Sequence, residues 1–380
     1  MDLNEARAKI DEIDRQIVAL FGVRMAVSRD VAAWKKQNGK PLTDAERERK
    51  KLVQVTGLAA EEFRGYTAEL YELLFALSKA YQARVNAESG ALSKRLRAAM
   101  EKTPVDFPEF AAVACQGVEG AYSQQACTRL FRVPNILYFK GFEGVFQAIE
   151  SGLCRYGVLP IENSTAGSVN AVYDLLSRHQ CSIVRSVRMK VEHSLLALPG
   201  VKKSDIKEIV SHEQAFRQCE NYLKGFRNVT CTVCENTAAA ARLVAESGRK
   251  DLAALSSASC AALYGLSEVE AAVQDRSVNY TRFICISRET EIYGGADKTS
   301  ILVTLPHEPG ALYRLLSRFY ASGINLCKLE SRPLPGREFE FLFYFDLEKP
   351  IASPGMLELL DELEALCSSF TYLGSYSELI

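Results

Sequence analysis

The chain has almost no net charge: 46 lysines and arginines against 47 aspartates and glutamates leave -1 over 380 residues. That balance argues against nucleic acid or an anionic membrane as the main partner, so any cationic site must be local. No apolar run approaches bilayer-spanning length. A secretory leader is not expected either, because the first segment is acidic and amphipathic where a leader has a basic start and an unbroken apolar block. The four histidines, His179, His193, His212 and His307, are dispersed. Eleven cysteines, an odd total without a regular frame, suit reduced thiols in a cytoplasm better than a disulfide scaffold. Cys231 and Cys234 supply half of a zinc-ribbon ligand set, but no second pair stands at a suitable spacing. No metal or cofactor is expected.

At this length two or three domains are expected. From Leu3 to Trp34 apolar residues recur at heptad-like steps, which predicts one long amphipathic helix. Asn38-Gly39-Lys40-Pro41 stops it, and Thr43-Asp44-Ala45-Glu46 resembles a capping box opening a second helix to about Val55. A third helix is expected from about Glu61 to Glu88. Residues 1–88 therefore read as an all-α unit whose first helix needs a partner chain to cover its stripe. Residues 89–110, polar and carrying Pro104 and Pro108, read as a linker. Residues 111–290 alternate short apolar runs with helical segments, which predicts open α/β layers. After a boundary at Gly294-Gly295-Ala296-Asp297, residues 298–380 read as βαββαβ, the ferredoxin-like order.

Two local features point to anionic ligands. Position 24 continues the apolar stripe of the first helix yet is Arg24, and a buried guanidinium without an anion is costly. A polar seam position that fixes helix register would explain Arg24 equally well. Arg7, Lys35 and Arg47 are placed to join it, with Ser78 and Gln82 one turn apart on the third helix. Further on, Tyr156–Ile161 reads as a strand running into Glu162-Asn163-Ser164-Thr165, small polar residues expected to open a helix whose N-terminus would hold a carboxylate.

Arg7, Arg24, Lys35, Asp44, Arg47, Glu48, Ser78 and Gln82 are similar in order and spacing to the helical chorismate mutase pattern. The resemblance implies that Lys35 and Gln82 serve the ether oxygen, that Arg24 and Arg47 hold carboxylates and that Glu48 holds a hydroxyl. Arg7 would come from the other subunit. Pro160-Ile161-Glu162-Asn163-Ser164, Ser211-His212 with Gln218, and Asn279-Tyr280-Thr281-Arg282-Phe283 resemble prephenate dehydratase motifs. They imply two α/β lobes around a cleft, like a periplasmic binding protein, with Thr281 donating the proton or orienting its donor. Substrate would meet Glu162, Asn163, Ser164, Ser211, Gln218 and Arg282. Gly117-Val118-Glu119-Gly120-Ala121 resembles the family's glycine turn, with Val118 and Ala121 where proline and serine are usual. Gly310-Ala311-Leu312 and Glu330-Ser331-Arg332-Pro333, with Asn325 opening the latter strand, resemble an ACT regulatory domain whose phenylalanine site forms between paired domains.

The expectation is a bifunctional chorismate mutase-prephenate dehydratase, inhibited by phenylalanine and assembled as a homodimer or larger oligomer. Two alternatives stay open: a monofunctional dehydratase whose helical segment only dimerises, and a non-catalytic ligand sensor.

Overall fold

The computed structural model describes residues 2–40, 44–86, 90–334 and 340–380. Helix α1 spans Leu3–Gln37, opened by a reciprocal cap between Asp2 and Glu5. Helix α2, Ala45–Leu58, is capped by Asp44, whose Oδ1 accepts from the Arg47 N–H at 3.0 Å; Thr43 lies outside the described residues. Helix α3, Arg64–Asn86, packs against both. Along α1 the residues Ile13, Ile17 and Leu20 are 54%, 56% and 70% exposed, so the stripe is uncovered within one chain.

The stretch read as a linker carries a helix instead. Helix α4, Ala91–Lys102, sends Leu92 and Leu96 into the core of the C-terminal unit. Its first turn is capped from a distance: the Asp361 carboxylate accepts from the N–H groups of Gly90 and Ser93 at 2.9 and 3.0 Å. Pro104 and Pro108 come after this helix, so they end it without preventing it.

Then come β1 (Phe110–Gln116), α5 (Tyr122–Leu130), β2 (Val133–Phe139), α6 (Phe142–Glu150), β3 (Tyr156–Asn163), β4 (Gly167–Ser168), α7 (Asn170–Arg178) and β5 (Ser182–Lys190). The chain crosses through residues 191–193 into a second lobe. Its elements are β6 (Ser194–Ala197), β7 (Glu208–Ser211), α8 (Glu213–Gln218), α9 (Glu220–Leu223), β8 (Thr230–Val233), α10 (Thr237–Ser247), β9 (Leu252–Ser256), α11 (Ser259–Tyr264) and β10 (Ser267–Glu270). Residues 271–279 return to β11 (Tyr280–Ser287) in the first lobe. The second sheet runs β10-β6-β9-β7-β8. Two α/β lobes joined by two crossovers are what the dehydratase resemblance implies.

The C-terminal unit is β12 (Lys298–Thr304), α12 (Ala311–Ala321), β13 (Asn325–Pro333), β14 (Phe341–Glu348), α13 (Met356–Leu366) and β15 (Ser369–Tyr376), with a last strand β16 (Glu378–Leu379). Its sheet order, β13-β14-β12-β15, is the one a βαββαβ chain forms when both helices cover one face. Strand β16 leaves that sheet and pairs with β5, so the first-lobe sheet runs β16-β5-β11-β3-β1-β2, with β4 against β3. Leu302, Tyr344, Leu373 and Tyr376 share one core with Ile183, Ile284 and Ile286. The helical unit touches the C-terminal unit through Arg318, which donates to the Ala76 carbonyl and pairs with Glu362 at 2.9 Å. Among the described residues no helix is long and apolar enough to cross a membrane.

Candidate active sites

In the helical unit, Arg24 on α1 faces α3. One guanidinium nitrogen donates to the Leu74 carbonyl at 3.2 Å and to the Ser78 hydroxyl. Ser78 passes its own proton to Leu74 at 2.7 Å. One turn on, Gln82 is buried and its Oε1 has no hydrogen-bond partner among the described residues. An amide end held out of water without a partner loses the energy of a hydrogen bond, unless a ligand supplies one. Arg24, Ser78 and Gln82 thus converge, and Lys35 stands half-buried further along α1. Glu48 pairs with Lys79 at 2.9 Å, and Asp44 is engaged as the cap of α2. Arg7 and Arg47 are exposed. The helix rise between Arg7 and Arg24 is about 25 Å, so Arg7 cannot join Arg24 within its own chain.

In the α/β unit, β11 runs antiparallel to β3 with Thr281 opposite Asn163 and Arg282 opposite Glu162. Successive strand side chains alternate, so the two pairs face opposite sides of the sheet. On one side, Asn163 Oδ1 accepts from the backbone N–H groups of Thr165 and Ala166 at 2.9 and 2.8 Å. Its Nδ2 donates to Thr281 Oγ1 at 2.9 Å and to Asn279 Oδ1 at 2.8 Å. Asn279 Nδ2 donates to Gln218 Oε1 at 3.1 Å, which also meets His193 Nε2 at 2.8 Å. Gln218 ends α8 in the second lobe, so this polar chain bridges both lobes beside the crossovers. Thr281 accepts one bond there, which leaves its own proton to donate elsewhere.

The other side of the sheet departs from expectation. Arg282 and Glu162, assigned to substrate, face the C-terminal unit. Arg282 pairs with Asp346 at 2.5 Å and Glu162 with Lys328 at 2.8 Å. Asp346 also accepts from Ser300 at 2.5 Å. Strand alternation separates the pair from Thr281, and a motif read as letters does not show which face each letter serves. The helix expected at Asn163-Ser164-Thr165 is also absent. Those residues form a turn, and α7 begins at Asn170, because Asn163 itself takes the N–H groups that would open a helix. Ser164 Oγ accepts from Tyr280 N–H at 2.9 Å. Ser211 is fully buried and donates to the Leu255 carbonyl at 2.7 Å.

At the glycine turn, Gly120 has φ 89° and a methyl group there would press on Cys260 of α11. Val118 and Ala121, the departures from the family pattern, pack with Leu196, Val210 and Ala238 of the second lobe. Gln125 donates to Ser257 and Ser259 at 3.2 and 3.1 Å, which draws the turn onto that lobe. His212 caps α8, its Nδ1 accepting from Gln214 N–H at 3.2 Å. Asn279 and His193 were not singled out from sequence. Asn279 lay inside a quoted motif, whereas nothing near His193 signalled its burial.

In the C-terminal unit the residues assigned to phenylalanine separate. Gly310 caps α12 with φ 79°, and Ala311 and Leu312 line a cavity of about 150 Å³ with Leu305, His307 and Phe343. Glu330 instead receives the Ser168 hydroxyl at 2.6 Å, and Arg332 grips Asp174 at 3.1 and 3.2 Å. Both bind the first lobe. Asn325 bonds Glu348 at 2.8 Å, and Ser331 is exposed on the opposite face of β13. The described residues hold no group of three or more histidine, cysteine or acidic side chains that could bind a metal.

Residues 113–291 match the prephenate dehydratase family and residues 6–83 match chorismate mutase type II. An arogenate dehydratase/prephenate dehydratase of Arabidopsis thaliana is 39% identical over 282 residues, covering 70% of this chain and 71% of the relative. The bifunctional chorismate mutase/prephenate dehydratase of Escherichia coli K12 is 29% identical over 379 residues, covering 97% and 95%. Among solved structures, the prephenate dehydratase of Arthrobacter aurescens in complex with L-Phe has a TM-score of 0.64 at 28% identity, covering 70% and 89%. The chain belongs to the prephenate dehydratase family and, with a type II chorismate mutase domain ahead of it, to the bifunctional enzymes of phenylalanine biosynthesis.

Proposed function

We propose that the pocket between α1 and α3 holds chorismate, with Arg24 on a carboxylate and the amide of Gln82 with Lys35 on the ether oxygen. The rearrangement is intramolecular and needs no nucleophile. Catalysis consists of holding the compact conformer and placing donors where negative charge grows. The unpartnered, buried end of Gln82 supports this reading, since a ligand oxygen would satisfy it. Ser78 keeps Arg24 extended across the pocket. Arg7 serves the pocket of a second chain, and the uncovered stripe of α1 is the surface on which the two chains meet. Arg47 approaches from α2, and Asp44 and Glu48 support that helix around the substrate.

Prephenate formed there is aromatised in the α/β unit by loss of carbon dioxide and hydroxide. The ring gains aromatic stability, so the enzyme has to protonate the leaving oxygen and leave the departing carboxylate weakly held. Thr281 is the donor. The observation that carries this is the Asn163 amide, pinned by two backbone N–H groups so that its Nδ2 fills one lone pair of Thr281 and leaves the hydroxyl proton free. The Nε2 group of Gln218, the Ser164 turn and the glycine turn supply further donors around the cleft. Ser211 acts by setting the start of α8. Arg282 and Glu162 hold the strands from behind.

The C-terminal unit reads as an ACT domain that lowers dehydratase activity when phenylalanine binds near Gly310-Ala311-Leu312. Differential affinity for a less active assembly is all that such inhibition requires. Strand β13 is a sheet edge, the natural place for a second copy to pair. The eleven free thiols suit a cytoplasmic enzyme. One measurement tests the whole reading: chorismate consumed and phenylpyruvate formed by the full chain, with and without phenylalanine. Mutase turnover without phenylpyruvate would refute the second assignment, and millimolar phenylalanine without effect would refute the third.

A further inference from the structure

Backbone geometry dictates the direction of each hydrogen bond in the chain ending at Thr281. The N–H groups of Thr165 and Ala166 can only donate, so the Asn163 atom they meet is Oδ1. Asn163 Nδ2 then faces Asn279, which must answer with Oδ1. Asn279 Nδ2 faces Gln218, which must answer with Oε1. That oxygen lies 2.8 Å from His193 Nε2, and the contact is a bond only if Nε2 carries the hydrogen. His193 is 2% exposed, and its Nδ1 has no partner among the described residues. Desolvation keeps its pKa below the ordinary histidine value against the opposing Gln218 bond, so the ring is neutral with one proton on Nε2.

We propose that His193 is a positioning residue of the dehydratase: its Nε2–H, with Asn279 Nδ2, holds the Oε1 end of Gln218 against Asn279, and so keeps the side chains beside the backbone-pinned Asn163 and the Thr281 hydroxyl in place. The inference rests on the assignment of Thr281 as proton donor. Without the histidine the Gln218 amide can turn over, bringing its NH2 against that of Asn279. Asn163 cannot turn to relieve the conflict, because the backbone holds it. His193 is suited to this work by its place. It sits on the crossover between lobes, where its own N–H donates to Gln274 at 2.9 Å and its carbonyl accepts from Val273 at 2.8 Å. The backbone stays anchored whatever side chain it carries. Its ring stands edge-on to Tyr122, with centroids 6.3 Å apart, and the neighbouring Glu192 pairs with Lys190 at 2.7 Å.

The test compares His193→Gln, which keeps a nitrogen donor near Nε2, with His193→Leu, which fills similar volume without one. Circular dichroism of the same full-length chain reports that each variant is folded, and mutase turnover serves as the internal control of concentration. The Leu variant should lose about 10- to 100-fold in dehydratase kcat, part of what a general acid contributes, with KM within about threefold. The Gln variant should keep at least about one third of the wild-type kcat. Equal rates in the two variants, or a loss carried by KM, would overturn the proposal. Thr281→Ala is measured alongside. A normal rate there removes the donor assignment and this proposal with it, whereas a crippled Thr281→Ala beside a normal His193→Leu removes His193 alone.

Discussion

Arg282 and Asp346 meet at 2.5 Å with Asp346 wholly excluded from solvent, one on the strand that carries Thr281 and the other in the C-terminal unit. Ser300 donates to the same carboxylate. The strand beside the proposed donor is thus anchored by a charge from another domain.

Among the described residues, removing Asp346 leaves a buried guanidinium with only the more distant Glu162, at 3.8 Å. Asp346→Ala should destabilise the chain by about 3–5 kcal/mol, read as a lower denaturant midpoint. Arg282→Met combined with Asp346→Leu should recover part of that loss, since neither charge is then orphaned. A midpoint unchanged by Asp346→Ala would show the pair to be without structural consequence.

The two activities should separate by mutation. Arg24→Ala should lower mutase turnover about 10²- to 10³-fold, as removal of one preorganised donor does, while prephenate dehydration stays near wild type. Thr281→Ala should do the reverse, with Thr281→Ser, which keeps a hydroxyl, between the extremes. Loss of both activities in either variant would mean unfolding, which circular dichroism detects.

Charge on the α1 stripe should dissociate the assembly. Ile17→Glu, at a position 56% exposed in the single chain, is expected to shift sedimentation toward monomer. Mutase activity should fall with it and become concentration-dependent, as the proposed place of Arg7 in the pocket of a second chain requires. Sedimentation identical to wild type would place the interface elsewhere.

Burial lowers the His193 pKa, so the unfolded chain binds its proton first as pH falls. Its stabilising contribution is complete above about pH 6.5, the unfolded value, and declines below that until the folded value is passed. Urea midpoints compared between pH 7.5 and 5.5 should fall in the wild type and fall less in His193→Gln. Parallel lines would assign the acid loss to other groups.

Most helices and strands were legible in the residues because each rests on local pattern. The spacing of Ile10, Ile13 and Ile17 dictates a helix, and Arg24 interrupts that stripe visibly. Helix α4 was not legible, because its cap, Asp361, lies more than 250 residues away and its apolar face packs into the C-terminal core. The turn after β3 was misread for a related reason: Asn163 competes for its own backbone N–H groups, and side-chain capping of that kind mimics a helix start in sequence.

By itself the sequence determined which chemistry is present: cations in an apolar seam, a threonine in a polar strand end and a glycine turn, each demanded by local composition. Only the tertiary structure decided which way each side chain faces. Thr281 and Arg282 are neighbours in the chain, yet the pleat of one strand sends the first to the Asn163 amide and the second into an ion pair with another domain. His193 acquired a role only when two crossovers brought it beside Gln218, since burial and hydrogen-bond direction are properties of packing.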